Sequence, residues 1–291
     1  MDCAAPPVRY NATTNAVLSR IAMFRTVLAL AAGLLVALPS GAALAQADGF
    51  GVAPQPRPGN LASFTLRGGV QVRPEFPGSD EYEVGPDLGF RFGGLEIGRF
   101  GIGDPDPELV QTGLGLRGSF RYVGERDSSE FEDLRGLDDV DDALELGVGL
   151  AYRQDAYQVF GDLRYGVTGH ESFVGEVGAD VFVRPTDRLT LNAGPRVFFA
   201  EDSYAQEYFG VSPAEALRSG SLEPFEAEGG ALSAGIEIGA QYRLNDSWGI
   251  EGAVTYDRLL GDAGDSPITE AGSDDQYGVR VGLTRRITFG F

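Results

Sequence analysis

Lysine is absent from this chain, and histidine, cysteine and tryptophan each occur once. The 23 basic side chains, all arginine, stand against 43 acidic ones and leave a formal charge of −20. Such an excess of acid disfavours nucleic acid as a partner, because phosphate binding is carried by cations. The lone Cys3 sits near the N-terminus in no lipoprotein-type cleavage box, so no disulfide framework holds the fold. Long apolar runs are missing too. The one that exists, Thr26 to Leu38, is too short for a membrane-spanning helix, which needs roughly 20 residues. Arg20 and Arg25 precede it, and Pro39, Gly41 and Ala43-Leu44-Ala45 follow, which is the plan of a secretory signal cleaved after Ala45. Met23 is an equally good start. No Pro/Ser-rich linker divides the chain after residue 60. The expected organisation is a signal peptide at 1–45, a periplasmic N-terminal segment at 46–62 and one large domain at 63–291.

What fills that domain is alternation. In the last stretch Tyr277, Val279, Val281, Leu283, Ile287, Phe289 and Phe291 share one face, broken only by Arg285, while Gln276, Gly278, Arg280, Gly282, Thr284, Arg286 and Thr288 share the other. Similar runs begin near Phe64, Val84, Leu95 (short), Thr112, Leu144, Tyr157, Phe173, Leu189, Leu232 and Trp248. No amphipathic helix of any length separates them, so the class is antiparallel all-β.

Alternation alone fits a soluble sandwich with its apolar face inward or a transmembrane barrel with that face outward. Three features choose the barrel. The runs are ten or more residues long, as a tilted spanning strand requires at roughly 9–11 residues, whereas soluble strands average about 5–6. The polar faces carry both signs of charge interleaved with glycine, at Asp162 and Arg164, Glu176, Asp180 and Arg184, Arg196, Glu237 and Arg243, Glu251 and Asp257, and Arg280 and Arg286. Connections alternate between tight (153–156, 185–188, 245–247) and long (123–142, 201–230, 261–274), the asymmetry of outer-membrane barrels with short periplasmic turns and long outer loops. Tyr122, Tyr152, Tyr157, Trp248, Phe289 and Phe291 fall at strand ends, where an interfacial girdle belongs. Arg285 is tolerable near an interface, where a charge costs little. The expectation is an up-and-down transmembrane β-barrel of about twelve strands, ten being the other count, because single-chain bacterial barrels have even numbers and eleven runs are visible.

Candidate chemistry is sparse. His170 and Ser172 in "TGHESF" can share a face while Glu171 cannot, so a hydrolase pair is conceivable, although a polar loop at a strand end explains the same residues. "SSEFEDLRGLDDVDD", Ser128 to Asp142, is strongly acidic but lacks calcium-loop spacing, so no metal or other cofactor is expected. "SPAEALRSG" is more specific. Ser212 can cap, Pro213 suits the first helical position, Glu215 completes a capping box and Gly220 stops the helix, which should rest over the barrel mouth or on the loop 261–275.

Four stretches carry a resemblance: "RPEFPGSDEYEVGP" (Arg73–Pro86), "LRGLDDVDDALELGVGLAY" (Leu134–Tyr152), "SYAQEYFGVSPAEALRSG" (Ser203–Gly220), and "YDRLLGDAGDSPIT" followed by "GSDDQY" (Tyr256–Tyr277). Over roughly residues 62 to 291 the chain resembles the MipA/OmpV-like outer-membrane proteins, departing from them mainly around 93–112. The resemblance implies a Gram-negative outer-membrane barrel inserted by the barrel-assembly machinery, in contact with lipid and lipopolysaccharide. It also implies a non-enzymatic scaffold or adhesin, with lytic transglycosylase and murein-synthesis proteins as partners. A small-solute channel is the alternative, and a hydrolase using His170 comes third. The matching stretches nominate Tyr204, Tyr208, Phe209, Ser212, Glu215, Asp262, Asp265, Ser266 and Pro267 as loop residues for interaction.

Overall fold

The structure, a computed structural model, describes residues 60–97, 100–103 and 112–291. The expected signal peptide and nearly all of the expected N-terminal segment lie outside the described residues. Eleven strands follow one another: β1 (Leu61–Pro74), β2 (Tyr82–Ile97), β3 (Phe100–Gly103), β4 (Gly113–Val123), β5 (Ala143–Arg153), β6 (Tyr157–Gly166), β7 (Phe173–Thr186), β8 (Leu189–Ala200), β9 (Gly230–Arg243), β10 (Trp248–Leu259) and β11 (Asp275–Gly290). All pair antiparallel in the order β3-β2-β1-β11-β10-β9-β8-β7-β6-β5-β4, so the last long strand returns to the first, with Val70 opposite Val281. At the seam β2 lies beside β4, and the Arg73 guanidinium donates to the Tyr122 carbonyl across it. Ten long strands thus make a nearly closed barrel, and β3 is a short arm on β2.

The described count is the smaller of the two expected. Its cause is a bulge. Ser63 pairs with Gly94 while Phe64 pairs with Phe92, which leaves Gly93 as an extra residue. One inserted residue reverses the side-chain phase. The outward set therefore runs Val84, Leu88, Phe90 and Phe92 before the bulge and Leu95 and Ile97 after it, and what reads as two runs is one sixteen-residue strand.

Polarity is inside-out. Val148 and Ile238 are 68% and 57% exposed on the outer wall, whereas Asp162, Asp180 and Glu251 are buried within. An exposed aliphatic wall of this extent is explained by lipid contact, since soluble proteins seldom show such a patch. Tyr152, Tyr157, Trp248, Phe289 and Phe291 project outward at the turn end, and Arg285 there stacks 5.0 Å from the Trp248 ring. A second aromatic group gathers at the loop end, where Tyr165 meets Phe173 at 4.9 Å and Tyr256 meets Tyr277 at 5.2 Å.

Connections segregate as expected. The turns 154–156, 187–188 and 244–247 lie at one end, and the segments 75–81, 124–142, 167–172, 201–229 and 260–274 at the other. Four short helices sit in the long loops: α1 (Asp202–Phe209), α2 (Pro213–Ser219), α3 (Asp262–Asp265) and α4 (Pro267–Ala271). α2 is the helix expected from its caps. The Ser212 hydroxyl accepts from the Glu215 N–H, the Glu215 carboxylate accepts from the Ser212 N–H, and Gly220 takes the left-handed conformation at φ 67°. Its bed differs in part from the expected one. Arg218 pairs with Asp138 at 2.5 Å and Glu215 accepts from the Asp138 N–H at 3.0 Å, so α2 rests mainly on the loop 124–142. Its Ala216 also reaches the cluster containing Ile268.

Candidate functional site: the plugged mouth and the arginine-lined lumen

α1 is what closes the mouth. Nothing in its sequence advertises it, because Glu201 at the N-cap makes no side-chain capping bond, and helices this short form only by packing on something else. Packing is abundant here. Tyr204, Ala205, Tyr208 and Phe209 are buried against Val123, Val174, Leu232 and Leu259 on the inner wall and against Ala263 of α3. Above this layer Phe76, Leu134, Leu137, Val211 and Ile268, drawn from four of the loops, form a second apolar cluster. The dome is pinned by polar contacts as well. The Ser266 hydroxyl donates to the Phe209 carbonyl at 2.6 Å and accepts from the Ile268 N–H. Arg126 donates to the Tyr208 carbonyl at 3.0 Å, and Asp262 accepts from the Glu228 N–H.

Electrostatics in the dome follow burial. Burial pushes the Tyr204 and Tyr208 hydroxyls above the ordinary tyrosine value, the Arg121 guanidinium opposing this at Tyr204. For Glu215 burial alone would raise the carboxyl, but hydrogen bonds from the Asp138 N–H and from Ser212 hold it below the usual carboxylate range.

Beneath the plug, Glu145 on β5 collects three partners. Arg164 lies at 2.9 Å, His170 Nε2 at 3.3 Å and Arg121 at 3.7 Å. Arg121 also donates to the Tyr204 hydroxyl at 2.9 Å. His170 Nδ1 receives the Ser172 N–H at 3.2 Å and lies 2.7 Å from its hydroxyl, which assigns the ring proton to Nε2, facing Glu145. A serine, a histidine and a carboxylate are therefore in line, with Glu145 in the place that Glu171 could not take. The geometry is nevertheless not that of a hydrolase. The serine faces Nδ1 where a triad presents Nε2, Ser172 is 1% exposed, and the Tyr204 and Tyr208 rings cover the imidazole at 4.9 and 6.0 Å.

Below this latch a cavity of about 750 Å³ runs to the turn-side rim. Eight of its lining residues are arginines and five are carboxylates. Four of the five carboxylates are spoken for. Asp162 pairs with Arg117 at 3.1 Å, Asp180 with Arg196 at 2.7 Å, Glu237 with Arg280 at 2.7 Å, and Glu251 with Arg67 at 2.7 Å and Arg91 at 3.2 Å. Phe160 carries the Arg117 and Arg196 guanidiniums at 4.1 and 4.9 Å from its ring centre, and Phe182 carries Arg153 and Arg184 at 4.3 and 5.8 Å. A second cavity of about 280 Å³ lies higher, lined by Asp257, Glu176, Arg121 and the underside of α1.

The residues nominated from sequence divide accordingly. Tyr204, Tyr208, Phe209 and Ser266 are buried and hold the dome together, so they are not offered to a partner. Ser212 and Glu215 form the α2 cap, Pro267 starts α4, and Asp262 ties two loops, leaving Asp265 exposed at the surface. Asp162, Arg164, Asp180, Arg196, Glu237, Glu251, Asp257 and Arg280 face inward. Arg243 and Arg286 do not line the cavity. Arg243 donates to the Asp187 carbonyl in a turn, and the Arg286 N–H bonds to Ser247. Arg67, Arg117, Arg121, Arg153 and Glu145 went unnamed, although each occupies the polar phase of its strand.

No curated protein matches the chain in sequence. Among solved structures it is similar to the attachment invasion locus protein Ail of Yersinia pestis (13% identity, 79% of this chain and 99% of that one, TM-score 0.26). It is also similar to an outer membrane channel from Pseudomonas putida F1 (10% identity, 81% and 100%, TM-score 0.38). The translocator domain of the autotransporter NalP from Neisseria meningitidis is a third (12% identity, 94% and 98%, TM-score 0.30). With TM-scores this low, none of these likenesses lends the chain a function. The model of the family described as MltA-interacting protein MipA matches residues 66–287, nearly the whole barrel, and the chain belongs to that family, as a β-barrel of the Gram-negative outer membrane.

Proposed function

We propose that this protein is a plugged, non-enzymatic barrel that serves as an interaction element of the cell envelope. The observation that carries the reading is α1, which fills the mouth with three buried aromatic side chains tied to the wall. A barrel sealed by its own loop, with a lumen cross-linked by ion pairs, suits a rigid platform better than a wide passage. The partner class comes from the family's description, an MltA-interacting protein, and we carry to this chain a lytic transglycosylase of that kind on the periplasmic side. A stable interface needs roughly 800 Å² from each partner, more than two- to four-residue turns supply, so either the segment 46–62 or the rim of the barrel wall supplies the contact. Lipid and lipopolysaccharide surround the wall and the outer loops. Site-specific crosslinkers placed in 46–62 and in the outer loop 203–225, used in intact envelopes, test this. Crosslinks to a peptidoglycan-cleaving enzyme from the inner position support it, and their absence there overturns it.

A second reading, a small-solute channel, has the cavity of about 750 Å³ in its favour. Planar-bilayer recording separates the two. Steady conductance of the full chain, growing when 203–225 is deleted, selects the channel, and silence until deletion selects the plugged platform.

A further inference from the structure

The lining of the larger cavity is at odds with the rest of the chain. A protein with nearly twice as many acids as bases has gathered eight arginines against five carboxylates around one chamber. Ion pairing accounts for most of them. Arg153 is the exception. It is the last residue of β5 and lines the cavity at its turn-side rim beside Gln158. Its buried Nε has no hydrogen-bond partner, and none of the ion pairs among the described residues includes it.

The charges acting on Arg153 sharpen the point. Those that act on it most strongly are Arg91 and Arg184, both cationic, with Asp180 the opposing one. Asp180 is already held by Arg196 at 2.7 Å, by Gln158 at 2.7 Å and by Asn192 at 3.3 Å. Arg184 is committed to the Asp155 carbonyl at 2.5 Å, and both Arg153 and Arg184 lean on Phe182. Arg153 has no ion-pair partner among the described residues, and the stacking on Phe182 holds its guanidinium in place without neutralising it. What such a fork lacks is a planar or tetrahedral oxyanion, which it binds through paired N–H donors.

We propose that the cavity is a binding site for a small organic oxyanion bearing carboxylate or phosphate groups, which enters from the turn-side end and is held by Arg153 with Arg91. The loop end is closed by α1, so the ligand arrives from the periplasm. Two inward phenyl rings, Phe160 and Phe182, line the same cavity and hold the guanidiniums stacked on them in place. The site goes beyond the platform reading and does not depend on a protein partner; only the direction of entry rests on the plug.

The test is isothermal titration of the purified full-length protein in detergent micelles at near-physiological salt, with citrate, pyrophosphate and spermidine as separate titrants. The expected result is binding of citrate, of pyrophosphate or of both, and none of spermidine. Citrate alone identifies a carboxylate ligand, and pyrophosphate alone a phosphate one. Arg153→Gln is expected to weaken binding at least about tenfold while leaving the melting temperature nearly unchanged, because among the described residues this side chain has no ion pair to lose and gives up only its stacking on Phe182. Arg243→Gln, at the rim but outside the cavity, is expected to bind like the unaltered protein. Absence of binding by both anions, or equal binding by the Arg153→Gln protein, overturns the proposal.

Discussion

The guanidinium of Arg121 on β4 donates to the hydroxyl of Tyr204 on α1, 83 residues further along the chain, at 2.9 Å. The same guanidinium stacks 4.4 Å from the Phe198 ring and faces Glu145. A single arginine therefore joins wall, latch and plug, beside the packing and the other hydrogen bonds that close the mouth.

Removing the Tyr204 hydroxyl with Tyr204→Phe breaks that bond and keeps the ring packing. The expected cost is about 1 kcal/mol of stability, read as a lower thermal midpoint, together with brief openings in planar bilayers. Leu217→Ser on α2, where the side chain is 86% exposed, is the comparison and should change neither. Unaltered conductance and midpoint for Tyr204→Phe would show that the plug is held by packing alone.

Glu145→Gln tests the latch. Neutralising this carboxylate leaves the buried Arg164 and the half-buried Arg121 without their counter-charge, a loss of about 3–5 kcal/mol for the broken buried pair with Arg164. His170→Ala removes one hydrogen bond to Glu145 and the acceptor of the Ser172 N–H, and should cost about 1–3 kcal/mol. Urea midpoints of the two single variants and the double variant give the coupling between them. If Glu145→Gln is as stable as the parent, the ion-pair account of the latch is wrong.

The loop cap should respond to acid. Glu215 is held below its ordinary value near 4.5, so its contribution to docking α2 is complete above that pH and is lost as pH falls through the lower folded value. Hydrogen exchange over 212–220 should be slow at neutral pH and rise in acid. Glu215→Gln is expected to exchange quickly at both, and Ser212→Ala to weaken the cap by about 1 kcal/mol. A pH-independent exchange rate in the parent protein would remove Glu215 from this role.

Val148 sits at the middle of β5 and is among the most exposed aliphatic residues of the outer wall. Val148→Arg is expected to lower stability in vesicles by about 2–4 kcal/mol, the midplane cost of a charge. Arg285 escapes that cost at the rim, beside Trp248. Equal stability of the Val148→Arg protein in lipid and in detergent would contradict a lipid-facing wall.

Most of the barrel was legible because it rests on local rules. Alternation at two-residue steps announced each wall, loop lengths announced the two ends, and the Ser212 to Gly220 segment carried its own start and stop. Leu95 reads as the start of a separate run because the bulge at Gly93 inverts the phase, and only the pairing with Ser63 and Phe64 reveals the insertion. α1 stays hidden because no side chain caps its N-terminus and its stability comes from side chains of β4, β5, β7, β8, β9 and β10. Glu145 was not linked to His170 because the contact spans 25 residues and two strands, which periodicity within one strand does not register.

Without lysine, every cation lining the central chamber is a guanidinium, and guanidinium keeps its proton at any pH a cell surface meets. Only the carboxylates there are able to titrate. Acidification can therefore tilt the chamber in one direction alone, toward more positive, and no swing of the surroundings reverses its sign. The interior works as a fixed electrostatic polarity inside a coat whose own net charge fades as the medium sours.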